Sequence, residues 1–172
     1  MIRKAEKSEY EGIRDFYYQL IDDMAGMEYH PKWQKGVYPS EADLHTALDN
    51  SEICIYQEDG KIVAAMRVNH NATGGYEKVA WAVDAAKDEV TLIHILGVSL
   101  EHQGKGVAKK MVQHVIDTAR EAKQKAIRLD VLMGNIPANR LYESMGFEYK
   151  ERLSLFYEDT GLTEFDLYEL VF

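Results

Sequence analysis

Cysteine occurs once in 172 residues, at Cys54, which excludes an intrachain disulfide and suits a reducing cytoplasm. Its neighbours Ile53 and Ile55 read as an apolar strand, so the thiol is expected to pack, not to attack. His30, His45, His70 and His114 form no His-x-x-His or Cys-paired spacing, and no metal is expected. No apolar run approaches the ~20 residues of a membrane-spanning helix. The opening Met1-Ile2-Arg3-Lys4-Ala5-Glu6 lacks the apolar stretch of a secretory signal. A soluble, cytoplasmic protein without a membrane partner is the expectation. Cations are outnumbered, 20 Lys and Arg against 29 Asp and Glu, for a formal charge of −9. That balance argues against a nucleic-acid partner, because such binding is dominated by cation-to-phosphate contacts. No repeat, low-complexity tract or linker interrupts the chain, and 46% apolar residues suffice for one domain over 1–172.

The patterning predicts alternating strands and helices. Ile2 to Ala5 reads as a strand, and Ser8 with Glu11 as a capping box opening a helix whose broad apolar face carries Ile13, Phe16, Tyr17, Leu20, Ile21 and Met24. Gly26 stops it. Ser40 and Asp43 begin a second helix after Pro39, carrying Leu44, Ala47 and Leu48. Ile53–Tyr56 and Ile62–Val68 flank Glu58-Asp59-Gly60-Lys61, a hairpin signal. Val90–Val98 and Ala126–Leu132 are strands on either side of a helix bearing Val107, Met111, Val115, Ile116 and Ala119. Pro137 fits the first turn of a further short helix that Gly146 ends. Glu148 to Tyr157 and Thr163 to Val171 are the last strands. This order is that of an α/β (α+β) mixed sheet with helices on both faces.

The most informative stretch is Gln103-Gly104-Lys105-Gly106-Val107-Ala108, at the junction of strand and helix. The first N–H groups of a helix lack intrahelical acceptors and carry the positive end of its dipole, so they attract phosphate oxygens. Gly104 and Gly106 let a phosphate approach the backbone, although the same glycines would serve a tight turn and nothing more. A Walker A loop fails here, because Ser99 stands where its first glycine would be. A dinucleotide fingerprint fails at Lys109, which replaces its third glycine. Residues 102 to 125 carry six cations, Lys105, Lys109, Lys110, Arg120, Lys123 and Lys125, against Asp117 and Glu121. This local basic patch suits a polyphosphate, and the acidic remainder a cationic acceptor.

Gln103, Gly106 and Ala108 fill in order the acyl-CoA loop of the GNAT superfamily of N-acetyltransferases. Asn135, Ala138, Leu141, Tyr142, Gly146 and Phe147 resemble its second block at every named position. The resemblance implies a mostly antiparallel sheet of six or seven strands, acetyl-CoA as co-substrate, and Leu96, Val98, Gln103, Gly104, Lys105, Gly106, Val107, Ala108, Asn135 and Asn139 as its contacts. It implies that Tyr142 protonates the departing thiolate, since an ordinary tyrosine keeps its proton near neutral pH. It further implies that the strand ending Leu96-Gly97-Val98 pairs with the pantetheine arm, with Val98 N–H as oxyanion donor and Gly97 marking a bulge. His94, in the same strand, is the candidate base, with a structural role or a water chain as alternatives. The connection from Met27 to Pro39, with Trp33 and Tyr38, either roofs an acceptor pocket or packs, and Glu28 is a candidate partner for an ammonium group.

These residues imply acetyl transfer to a primary amine, on a small molecule or a peptide, by direct attack in a ternary complex. A non-catalytic acyl-CoA-binding module and a nucleotide-binding protein using the same turn are the competing readings. The C-terminal Leu170-Val171-Phe172 either completes the core or meets a second subunit, homodimers being common in this superfamily.

Overall fold

The computed structural model describes residues Met1–Phe172. Seven strands form one sheet in the order β1-β2-β3-β4-β5-β7-β6. They are β1 (Ile2–Lys4), β2 (Ile53–Glu58), β3 (Lys61–Asn69), β4 (Val90–Val98), β5 (Ala126–Leu132), β6 (Glu148–Tyr157) and β7 (Gly161–Val171). Every pairing is antiparallel except β4 with β5. Helices α1 (Tyr10–Met24) and α2 (Glu41–Asp49) cover one face, and α3 (Val107–Glu121) and α4 (Ile136–Ser144) the other. No helix is long and apolar enough to cross a membrane.

Local chemistry accounts for most boundaries. Asp59 and Gly60, at φ of 49° and 76°, make the two-residue β2–β3 turn, whose backbone twist matches that of the flanking strands. The α2 capping box forms as expected: Asp43 N–H donates to Ser40 Oγ at 3.0 Å and Ser40 N–H to Asp43 Oδ2 at 3.1 Å. The expected box at Ser8 does not form. Lys7–Glu9 instead make a single 3₁₀ turn before α1, and the Glu9 carboxylate, gripped by Arg3, accepts from Glu6 N–H. Long-range pairing with β1 thus decides which carboxylate caps.

Three apolar clusters flank the sheet. Ile13, Phe16, Tyr17, Leu20 and Met24 of α1 pack with Leu44, Ala47 and Leu48 of α2 over β2 and β3. Val107, Met111, Val112, Val115, Ile116 and Ala119 of α3 pack on the opposite face. Cys54 is buried among them, and burial raises the pKa of its thiol, which makes it inert. The third cluster lies under residues 70–89, where Tyr76 and Val79 meet Leu132, Leu155 and Phe165. The C-terminal triplet completes the sheet: Val171 pairs with Ala126, Phe172 N–H donates to the Lys125 carbonyl, and Arg120 lies over the Phe172 ring.

Candidate active site

The site begins with a seam. β4 and β5 pair only through Val90–Ala126, Thr91–Ile127 and Leu92–Arg128, after which β4 stays with β3 and β5 follows β7. A bulge bends β4 away: Arg67 pairs with His94 but Ala65 with Gly97, so β4 holds one residue more than β3 between these pairs. The residue absorbing it is Ile95, whose φ of 47° is a strained conformation for a β-branched side chain. Tyr17 Oη donates to its carbonyl at 2.8 Å. Gly97, expected to mark the bulge, is placed two residues away for a different reason. A Cβ there would lie 2.6 Å from Leu20 Cδ2, so its missing side chain lets α1 approach the strand.

Beyond the bulge Ser99 N–H donates to the Val63 carbonyl, and strand alternation therefore turns Val98 N–H and C=O into the seam. The Val98 carbonyl accepts from Gln103 Nε2 at 3.1 Å, which ties the glycine turn to the end of β4. Gly104 and Gly106 have φ of 72° and 78°, and Gly106 is the N-cap of α3. The amides from Gly104 through Lys109 donate to no protein acceptor; the next, Lys110 N–H, donates to the Gly106 carbonyl. All residues from Gly104 to Lys109 but Lys105 border a cleft of about 910 Å³ between α3 and α4, lined also by Leu96, Val98, Asn135 and Arg140. Unpaired amides, a helix N-terminus and two cations make the mouth of this cleft an anion cradle.

A second, smaller cavity of about 100 Å³ lies on the other side of the seam. Trp33 and Tyr38 roof it, Ile93, His94 and Ile95 form one wall, and Asp130, Tyr157 and Asp159 form the other. Trp33 and Tyr38 also pack, edge-on to Tyr17 and tilted against Tyr157, so the connection lines a cavity and packs at once. Asp130 Oδ2 accepts from Tyr76 Oη at 2.7 Å and Tyr157 Oη at 2.8 Å, while Oδ1 has no protein partner. Burial raises the Asp130 pKa, against the two tyrosine hydrogen bonds that lower it. Tyr142, 7% exposed, lines both cavities, and its hydroxyl has no protein hydrogen-bond partner. Burial, and then Asp130, raise its pKa, so it holds its proton throughout the neutral range.

His94 lines the smaller cavity but is bound to a structural network. Asn69 Oδ1 accepts from Asn71 N–H and Asn69 Nδ2 donates to Glu52, which leaves Oδ1 facing His94 Nε2 at 3.0 Å and fixes the proton on Nε2. Burial and the nearby Arg67 lower the His94 pKa to about 4, which leaves it a weaker base than an ordinary imidazole.

Other expected residues divide. Leu96, Val98, Gln103, Gly104, Gly106, Val107, Ala108 and Asn135 line the large cleft. Lys105 does not, being exposed on the outer side of the turn. Asn135 also caps α4 through a 3.5 Å hydrogen bond from Ala138 N–H. Asn139 lies outside the cleft: its amide donates to Asp166 on β7, because one helical turn beyond Asn135 the side chain faces the sheet. Glu28 lines the large cleft, not the small cavity, so it stands apart from the acidic wall. Asp130 and Arg140 went unnoticed in the sequence. A carboxylate inside the apolar run Ala126–Leu132 was the available signal.

Known proteins share this fold. The structure of a GNAT-family acetyltransferase from Streptococcus agalactiae superposes with a TM-score of 0.81 at 18% identity, covering 100% of this chain and 95% of that one. That of yncA from Salmonella typhimurium with its cofactor acetyl-CoA gives 0.71 at 16% identity, over 99% and 92%. In sequence, the uncharacterized N-acetyltransferase YsnE of Bacillus subtilis is 36% identical over 69 residues, 39% of this chain and 46% of that protein. The chain thus matches under half the length of this curated relative. The model of the Acetyltransferase (GNAT) family matches residues 16–147, from α1 through the end of α4, and with the split sheet and its glycine turn this makes the chain a member of the GNAT family.

Proposed function

We propose that the protein transfers the acetyl group of acetyl-CoA to a primary amine by direct attack within a ternary complex. The observation that carries this reading is the position of Tyr142, on the boundary shared by an anion-cradling cleft and an acidic cavity. The pyrophosphate rests on the amides of Gly104 and of Gly106 to Lys109, and the pantetheine arm enters the seam beside Leu96 and Val98. The thioester then reaches Tyr142. The Salmonella neighbour with acetyl-CoA supports the same occupant here.

The amine enters from the small cavity as an ammonium ion, and Asp130 takes its proton. A carboxyl whose pKa is raised by burial is a better base than an exposed aspartate. The nitrogen lone pair attacks the carbonyl carbon, and Val98 N–H stabilises the oxyanion. When the carbon–sulfur bond breaks, Tyr142 donates its proton to the thiolate, and the second proton of the acylated nitrogen passes to the tyrosinate as the amide forms. No Cys or Ser is placed between the cavities for a covalent route, which favours direct attack.

Thiol release from acetyl-CoA with a panel of amines tests the proposal. Tyr142→Phe is expected to lower kcat by about 10²- to 10⁴-fold with CoA affinity little changed, and Asp130→Asn to lower it comparably. Tight CoA binding without turnover on any amine would instead make this a binding module. Preference for ATP or NAD over CoA would overturn the cofactor assignment.

A further inference from the structure

Resting on that reading, we propose that the acceptor is an alkyl diamine or polyamine whose second ammonium group is held by Asp159. The inner cavity has carboxylates on its wall but no cation to match them. Asp130 and Asp159 both line it, and its lining contains no Lys or Arg. The nearest guanidinium, Arg67, is bound to Glu52 at 2.6 Å. An acceptor bearing a carboxylate beside its amine, such as a free amino acid, would find nothing here to pair with it and would face Asp130 with like charge.

Neither carboxylate is paired with a cation. Asp130 spends Oδ2 on two tyrosine hydroxyls and leaves Oδ1 open. Asp159, half-buried at the cavity's edge, is in no ion pair, and burial raises its pKa. The Tyr142 hydroxyl, already assigned to the departing thiolate, lines the same cavity without a protein partner and marks its reacting end.

The space between the two aspartates is aromatic. Tyr38 and Tyr157 have ring centroids 5.1 Å apart, and Tyr157 and Phe165 5.0 Å. Aromatic faces suit both the methylenes of an aliphatic chain and the cations at its ends. Asp159 itself belongs to the β6–β7 turn, fixed where its carbonyl accepts from Gln34 Nε2 at 2.8 Å. Two fixed anions joined by an apolar, aromatic wall select a molecule with cations at both ends and carbon between them.

The test is steady-state kinetics with α,ω-diaminoalkanes of increasing length, spermidine, the matching monoamines, and free amino acids. Diamines are expected to exceed monoamines of equal length in kcat/KM, with amino acids poorest. Asp159→Asn is expected to reduce the diamine-to-monoamine ratio by about 10- to 100-fold, as for loss of a charge-assisted hydrogen bond. CoA affinity measured on the same variant reports that it is folded. Equal kcat/KM for diamines and monoamines, or an unchanged ratio in Asp159→Asn, would overturn the inference. Turnover confined to amino acids or peptides would overturn it too while leaving the acetyltransferase reading intact. Absence of turnover with every amine would remove both.

Discussion

The hydroxyl of Tyr17 donates to the carbonyl of Ile95 at 2.8 Å, so a helix on one face of the sheet pins the one strained residue of the central strand. Tyr17 is fully buried, and burial holds its pKa well above the ordinary value, which keeps the donor protonated at any workable pH. Through this contact the packing of α1 sets where β4 leaves β5.

Tyr17→Phe keeps the ring and removes the donor, leaving a partly buried carbonyl unpaired on a strained residue. A loss of about 1–3 kcal/mol is expected, read as a lower urea midpoint at unchanged slope. Turnover should fall further than the lost stability explains, because the bulge aligns Val98. Normal kinetics at temperatures where the variant is folded would show that the bulge holds itself.

Gly97→Ala places a methyl 2.6 Å from Leu20 Cδ2, with Trp33 and Phe16 next at 3.5 and 3.6 Å. Overpacking of this kind costs about 1–3 kcal/mol. Leu20, 2% exposed, has little room to withdraw. Leu20→Ala alone is expected to cost about 2–5 kcal/mol, and the double variant less than the sum. Strict additivity in this cycle would mean that the two sites do not meet.

His94 gives the protein an acid-sensitive limb. Its folded pKa of about 4 lies below the ordinary 6.5, so the unfolded chain binds the proton first. The stabilisation from keeping His94 neutral is complete above about pH 6.5 and is lost as pH falls through about 4. It amounts to about 3 kcal/mol. Chemical denaturation from pH 7 to 4 should show this decline in the native protein and a flatter curve in His94→Gln. Equal slopes would place the histidine outside the acid transition.

Gly106→Ala adds a side chain in open space at a φ of 78°. Its stability cost should be near 1–2 kcal/mol, the price of a left-handed alanine. CoA affinity, measured by calorimetry, is expected to fall about tenfold or more as the turn shifts its amides. Ordinary CoA binding would mean that the cradle lies elsewhere.

The elements easiest to foresee were those decided within a few residues. The Asp59-Gly60 turn, the Ser40–Asp43 cap and the apolar face of α3 each depend on neighbours close in the chain. The Gly104–Gly106 turn was legible for the same reason. The bulge was not, because glycine is the usual marker and Gly97 stood nearby, whereas the residue that absorbs it, Ile95, is bonded by a hydroxyl 78 residues away. Asp130 was hidden likewise. Its partners Tyr76 and Tyr157 are 54 and 27 residues distant, and only the sheet order β4-β5-β7-β6 brings them together. His94 shows the converse: its place was right, but a network through Asn69 and Glu52 removes the basicity that its residue type suggests.

Three residue pairs are all that join β4 to β5, and they lie at one end, where Gln124 bonds Thr91 and the Asp88 carbonyl. The molecule is therefore built like a clothes-peg, with its spring at Val90–Leu92 and its jaws at Val98 and Leu132. A ligand seated between the jaws would take up the cross-strand hydrogen bonds that the polypeptide leaves unmade, and so would bridge the two sides of the sheet at its open end.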